Sequence, residues 1–259
     1  MANNEKLPLI LISNDDGLNF SGIKALTTVA REIGEVVVVA PMQQQSGKAS
    51  SITVMSPLRA FKVAQEDNYV AYAVNGTPTD CVKLALDQLL GGRKPDIMLS
   101  GVNHGYNTGI CTLYSGTMGA AFEASIHGVK AVAFSYGDYS PKASFVDCMP
   151  WMKQIILKVL DGNLPDKTCL NVNLPFGKGP IKGIKPANSG IGCFVDEYEH
   201  RTDPHGLDYY WMTGEYRLDK PNDENADVNV LNQGYIAVTP CKIDQTDHEY
   251  LAQISALLS

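Results

Sequence analysis

The chain opens with a run, Leu7-Pro8-Leu9-Ile10-Leu11-Ile12, that has no polar face. A strand with one side in water alternates polar and apolar residues. A strand apolar at every position must be covered on both sides, as in the parallel sheets of α/β proteins. Val36-Val37-Val38-Val39-Ala40 and Ile97-Met98-Leu99-Ser100 repeat the pattern. Residues 22–33 lie between the first two runs, with Ile23, Leu26, Val29, Ala30 and Ile33 on one helical face. Strand, helix and strand make one crossover unit. Residues 52–74 alternate more and contain Pro57, which predicts short antiparallel or edge strands. Thr77 followed by Pro78 opens a helix whose apolar face is Cys81, Leu84, Ala85 and Leu89, with Asp80 in its first turn. A strand over 131–136, a helix over 145–160 with Trp151 and Ile155 inward, and a strand over 168–174 continue the alternation. The pattern predicts a three-layer, doubly wound α/β fold, Rossmann-like, around a mostly parallel sheet.

From residue 180 the texture changes. Residues 181–198 and 207–216 read as extended, the second carrying Tyr209, Tyr210, Trp211 and Tyr216. An aromatic hairpin outside the core can stack on a base or pack on another subunit. An acidic linker (219–227), a short helix (227–233), a strand (235–239) and a terminal helix (247–258) follow. The expectation is a single domain, 1–259, with an α/β core over 1–180 and a C-terminal hairpin and helix extension over 181–259. Its 259 residues and 44% hydrophobic content suffice for one large core. A net charge of −7 argues against a nucleic-acid polymer as partner. The six cysteines form no C-x-x-C pair, which suits reduced thiols and a cytoplasmic setting. The N-terminus, MANNEKLPLI, does not read as a signal peptide, and no apolar run approaches the roughly 20 residues that span a bilayer.

Ligands of open α/β sheets bind beyond the C-terminal ends of the strands. Asn14-Asp15-Asp16-Gly17 stands at the end of the first strand. Adjacent carboxylates repel unless a cation sits between them, so the pair reads as a metal site or, alternatively, as an Asp-capped polar turn. The loop over 41–51 falls at the same rim, where Ser46 and Lys48 meet a metal or phosphate or are simply solvated. After the third strand, Gly101, Gly105 and Gly109 make an irregular loop whose polar members are Asn103, His104 and Asn107. His104 there is a general acid or base, or a solvated loop residue. Ser115-Gly116-Thr117 opens a small-residue helix, and the free N–H groups of a helix start can hold an anion.

These stretches resemble the SurE family, the survival-protein-E nucleotidases. The matching pieces are Asn14-Asp15-Asp16-Gly17, Ala40-Pro41 with Ser46-Gly47, Asn75-Gly76-Thr77-Pro78-Thr79-Asp80-Cys81, and Ser100-Gly101-Val102-Asn103-His104-Gly105-Tyr106-Asn107. Tyr114-Ser115-Gly116-Thr117, Asn171-Val172-Asn173-Leu174-Pro175, Thr202-Asp203-Pro204, Tyr209-Tyr210-Trp211 and the segment from Gly234 to Pro240 follow in family order. The resemblance implies a phosphoric monoester hydrolase, metal-dependent, acting on nucleoside 5′- and 3′-monophosphates, with short polyphosphate a further substrate of some members. It implies one divalent ion per subunit, Mg²⁺ or Mn²⁺ ahead of Ca²⁺, held by Asp15, Asp16, Ser46 and Asn103. It places the phosphate pocket at Ser115, Gly116 and Thr117, with Asn103, Gly105 and Asn107 as further substrate contacts, and assembles the C-terminal part into a homodimer or homotetramer. Two departures, His205 after Asp203-Pro204 and the segment 241–246, lie outside that metal site.

An all-oxygen ligand set suits hard cations better than zinc. Such an ion polarises a phosphoryl oxygen or activates a water. Asp15 or Asp16 is then the catalytic carboxylate, either taking a proton from water or attacking directly. The alternative class is a noncatalytic nucleotide-binding or assembly module. A dinucleotide-binding oxidoreductase is disfavoured, because Asn14-Asp15-Asp16-Gly17 stands where a G-x-G-x-x-G turn would be.

Overall fold

All five residues of the first strand, β1 (Leu9–Ser13), are buried, as its unbroken apolar run requires. The computed structural model describes residues 7–140 and 142–258, apart from the side chains at 252, 255 and 256. Residues 1–6, on which the signal-peptide expectation rests, lie outside the described residues. After β1 come α1 (Ser21–Arg31), β2 (Glu35–Pro41), β3 (Ala60–Glu66), β4 (Tyr69–Val74), α2 (Pro78–Leu84), β5 (Ile97–His104), α3 (Gly116–Ile126), β6 (Lys130–Tyr136), α4 (Met149–Asp161) and β7 (Thr168–Leu174). The chain continues through β8 (Ile184–Pro186), β9 (Gly192–Val195), β10 (Tyr198–Thr202), β11 (Asp208–Met212), β12 (Glu215–Leu218), α5 (Asp227–Asn232), β13 (Ile236–Lys242) and α6 (His248–Leu258).

The main sheet has the order β3-β4-β2-β1-β5-β6-β7-β13-β8. From β4 to β7 every neighbouring pair is parallel, so those strands end at one rim. Successive β1 residues serve opposite cores. Ile10 and Ile12 pack with α1 and α4 residues such as Leu26 and Ile156, while Leu9 and Leu11 pack with α2 and α3 residues such as Val82 and Met118. The three layers predicted from the apolar runs are therefore present. The chain order runs from β1 through β2 to β4 on one side of the sheet, then crosses β1 to β5 on the other. The C-terminal ends of β1 and β5 thus flank a topological switch point, where two crossovers diverge and leave a crevice.

The structure modifies three expectations. Within 52–74 the strands begin only at Ala60: β3 is the antiparallel edge strand and β4 lies parallel to β2, while 52–59 follows an irregular path anchored by Asp80. The helix expected from 145 starts at Met149, with Pro150 in its first turn. The sheet also does not stop at residue 180. β13 pairs antiparallel with β7 and parallel with β8, so part of the expected extension belongs to the central sheet. Pro240 is accommodated in β13 because β8 ends at Pro186, opposite Val238, leaving one side of β13 open there. Outside the main sheet, β10–β11 forms the aromatic hairpin and β9 pairs with β12. The six cysteines are free thiols. Among the described residues no helix is long and apolar enough to cross a membrane.

Candidate active site

Four chain segments meet at the switch point, each tied to the next by hydrogen bonds. Beyond β1, Asn14 closes its own turn: its Nδ2 donates to Gly17 O at 3.1 Å and its Oδ1 accepts from Gly17 N at 3.2 Å. Gly17 sits at φ +104°, a left-handed conformation that few other residues adopt. The turn sets Asp15 and Asp16 inward, 4% and 3% exposed. The loop after β2 is pinned to this turn, since Gln45 N donates to Asp15 O at 2.7 Å. That loop carries Ser46, whose Oγ accepts from Gln44 Nε2 at 3.0 Å. At the end of β5, His104 N donates to Asp16 Oδ2 at 3.2 Å, which ties the strand end next to Asn103 to the carboxylates.

The fourth segment is the start of α3. Ser115 is its N-cap, with Oγ accepting from Met118 N at 3.1 Å. Thr117 Oγ1 donates to Asp15 Oδ1 at 2.5 Å, and its backbone N–H bonds the same carboxylate. The helix therefore directs its positive end at Asp15. Gly116 allows this approach: a Cβ there would lie 2.9 Å from Asp15 Cβ and 3.2 Å from Asp15 Oδ2.

Two buried carboxylates are costly without a counter-charge. Among the described residues no Lys, Arg or His side chain pairs with either in a salt bridge. Burial, with the Asp16 charge adding, pushes the Asp15 carboxyl up to about 6, against the pull of the Thr117 hydroxyl. Burial also raises Asp16, opposed by the His104 N–H, the His104 ring and the Gln44 amide. The remaining groups fit a hard cation. Asn103 Nδ2 is committed to Gly105 O at 2.9 Å, so its Oδ1 is the atom left to coordinate. Ser46 Oγ accepts one hydrogen bond and keeps a lone pair. Among the described residues no cluster of three or more His, Cys, Asp or Glu is arranged around a metal, so any ion here draws on neutral oxygens beside the two carboxylates.

Asp15, Asp16, Ser46, Asn103, Ser115, Gly116 and Thr117 thus belong to one linked cluster. Gly105 and Asn107 have other duties. Gly105 N donates to Tyr136 O at 2.8 Å, which leaves no N–H for a phosphate. Asn107 is buried, its side-chain Nδ2 donating to Ser135 Oγ at 2.8 Å and its backbone carbonyl accepting from Asn171 Nδ2 at 2.7 Å. It braces the loop from beneath. Lys48 is exposed and forms no salt bridge among the described residues. Sequence reasoning missed Gln44, which bonds both Ser46 and the Asp16 carboxylate. No spacing within Met42-Gln43-Gln44-Gln45 marks it, because its partner Asp16 comes from another loop. A cleft of about 210 Å³ between Met42, Gln45, Val74 and Gly76 opens on the same rim. The larger hollow, about 420 Å³ between Phe122, Ser189 and Thr239, holds none of these residues.

Fold and site define an open, doubly wound α/β protein with an oxygen-lined carboxylate pair at its switch point. The family described as survival protein SurE matches residues 10–194. The chain is 41% identical over 256 residues to the 5′-nucleotidase SurE of Christiangramia forsetii, covering 98% of both chains. It is 44% identical over 250 residues to the 5′-nucleotidase SurE of Flavobacterium psychrophilum, covering 96% of both. The crystal structure of SurE protein from Aquifex aeolicus superposes with a TM-score of 0.84 at 34% identity, over 97% of this chain and 100% of that one. The chain belongs to the SurE family.

Proposed function

We propose that the protein is a divalent-metal-dependent nucleotidase that hydrolyses nucleoside 5′-monophosphates, and 3′-monophosphates in the same pocket, to nucleoside and phosphate. The observation that carries this reading is the buried Asp15–Asp16 pair, which among the described residues has no salt-bridge partner, with the loops that carry Ser46 and Asn103 hydrogen-bonded to it. The names of the relatives, 5′-nucleotidase SurE, support the substrate class. Asp15, Asp16, Ser46 and Asn103 would hold Mg²⁺ or Mn²⁺, which supplies charge neutralisation for a phosphate ester and an acidified water. Two carboxylates balance the ion, and the two neutral ligands add no charge to repel an anionic substrate. Thr117 fixes Asp15 with its hydroxyl and its N–H. The Gly116 N–H, at the first turn of α3, has no intrahelical acceptor and can bind a phosphoryl oxygen. The cleft beside Gln45 offers room for the nucleoside. Phosphoryl transfer needs mainly this kind of positioning and electrostatics.

The exposed aromatics of the β10–β11 hairpin, Tyr198 and Tyr210 on one face and Trp211 on the other, support assembly into a homo-oligomer through that arm. The decisive experiment is phosphate release from a panel of nucleoside 5′- and 3′-monophosphates with Mg²⁺, Mn²⁺ or EDTA, for wild type, Asp15→Asn and Asp16→Asn. Turnover that needs the metal and disappears in both variants is expected. Nucleotide binding by calorimetry without turnover under any of these metals would instead mean a binding module.

A further inference from the structure

His104 is the one ionisable side chain on the site's loops whose ring is fixed at both nitrogens. Its Nδ1 lies 3.0 Å from Ser140 O and its Nε2 lies 3.3 Å from Ser21 Oγ. A carbonyl oxygen only accepts, so Nδ1 carries a proton and donates to Ser140 O, while Nε2 pairs with the Ser21 hydroxyl. The ring is also held edge-on by two aromatic neighbours, Phe20 at 5.8 Å and 75° and Phe145 at 5.4 Å and 81°. Phe20 and Ser21 begin α1, and Ser140 and Phe145 belong to the segment leading to α4. Gly22 lets α1 come this close, since a Cβ there would fall 2.0 Å from Val102 O.

The clamp acts at the end of β5, where the β5–β6 register shifts after Ser100 and pairing resumes at Asn103–Ser135 and His104–Tyr136. Asn103 and the His104 N–H that holds Asp16 Oδ2 both lie in that stretch. Both ring nitrogens are engaged away from the carboxylates, which leaves the ring no free nitrogen for proton transfer.

We propose that His104 is a positioning residue: its ring, clamped between α1 and the pair Ser140 and Phe145, sets the Asp16 carboxylate and the Asn103 carbonyl for the cation. The inference rests on the metal reading of the site and assigns its orientation to a residue outside the ligand set. A partner that orients a ligand typically changes metal affinity by about tenfold or more when lost.

The test measures Mn²⁺ affinity by calorimetry, and kcat and KM at saturating Mn²⁺, for wild type, His104→Ala, His104→Asn and Ser21→Ala. His104→Ala is expected to weaken Mn²⁺ binding about tenfold. Any fall in its kcat at saturating metal should be smaller than its fall in metal affinity, since bound metal helps to hold the ligands in place. His104→Asn places an amide N–H near the position of Nδ1 and should recover most of the affinity. Ser21→Ala should shift affinity in the same direction as His104→Ala, by less. A ¹⁵N–¹H spectrum of wild type should show Nδ1 protonated. Should His104→Ala not fold, Ser21→Ala and the spectrum decide. Wild-type affinity in both His104→Ala and Ser21→Ala, an Nδ1 without a proton, or a large fall in kcat with unchanged affinity would each overturn the proposal. No Mn²⁺ binding by wild type would overturn the metal reading itself, while the spectrum would still report on the clamp.

Discussion

Replacing Asp15 with asparagine should stabilise the metal-free protein while abolishing turnover. The carboxyl is buried without a basic partner, and its pKa rises from 3.8 to about 6 on folding. An acid that holds its proton more tightly folded than unfolded stabilises the native state below its unfolded pKa. That stability is lost as pH rises through the folded value, because the native state then has to bury a charge. Stability of the metal-free protein therefore falls between about pH 4 and pH 6. A shift of about two units at about 1.4 kcal/mol each amounts to about 3 kcal/mol against the native state at neutral pH. Asp15→Asn removes the charge, keeps the shape and leaves an oxygen for the Thr117 hydroxyl. In EDTA near pH 7.5 the variant should be more stable by about 3 kcal/mol, a Tm rise of about 6–12 °C for a chain of this size. Calorimetric melts should show the gap closing toward pH 4. Adding Mn²⁺ should raise the wild-type Tm in proportion to the logarithm of metal concentration and leave the variant unmoved. A variant no more stable than wild type in EDTA near pH 7.5, or a gap independent of pH, would refute the reasoning.

Three further outcomes are expected. Gly116→Ala places a Cβ against Asp15, and a carboxylate displaced by about 1 Å should cost roughly 100-fold in kcat with the circular dichroism spectrum unchanged; an active variant would remove the close approach from the mechanism. Asp80→Ala deletes acceptors used by Thr53 N, Thr53 Oγ1 and Thr77 N, so a urea melt should show a loss of about 2–4 kcal/mol; a loss under about 0.5 kcal/mol would show the anchor to be idle. Trp211→Glu with Tyr210→Glu puts charge on the exposed hairpin and should lower the mass seen by light scattering, with melting of the core unaffected; an unchanged mass would place assembly elsewhere.

The layers of the fold were legible because burial on both faces leaves a mark in the sequence itself. β1 and β2 are continuous apolar or near-apolar runs, and Thr77-Pro78 with Asp80 is a capping box readable by eye. The strands after residue 180 were harder. β13 looks like any short strand, and that it joins β7 depends on a partner 64 to 74 residues earlier in the chain. The site divides the same way. Asp15 and Asp16 stand out as adjacent carboxylates at a strand end, and Ser115-Gly116-Thr117 as a helix start. Gly105 and Asn107 read equally well as substrate contacts, and only the paths of their hydrogen bonds show them serving the loop.

Sequence alone determined the alternation of strands and helices, the rim on which chemistry gathers and the residue types available there, because periodicity, capping and charge pairing are local properties. Tertiary structure decided which loops touch. Gln44 meets Asp16, Thr117 meets Asp15, and His104 is locked by Ser21 and Ser140, all through strand order and a crevice that no local pattern encodes.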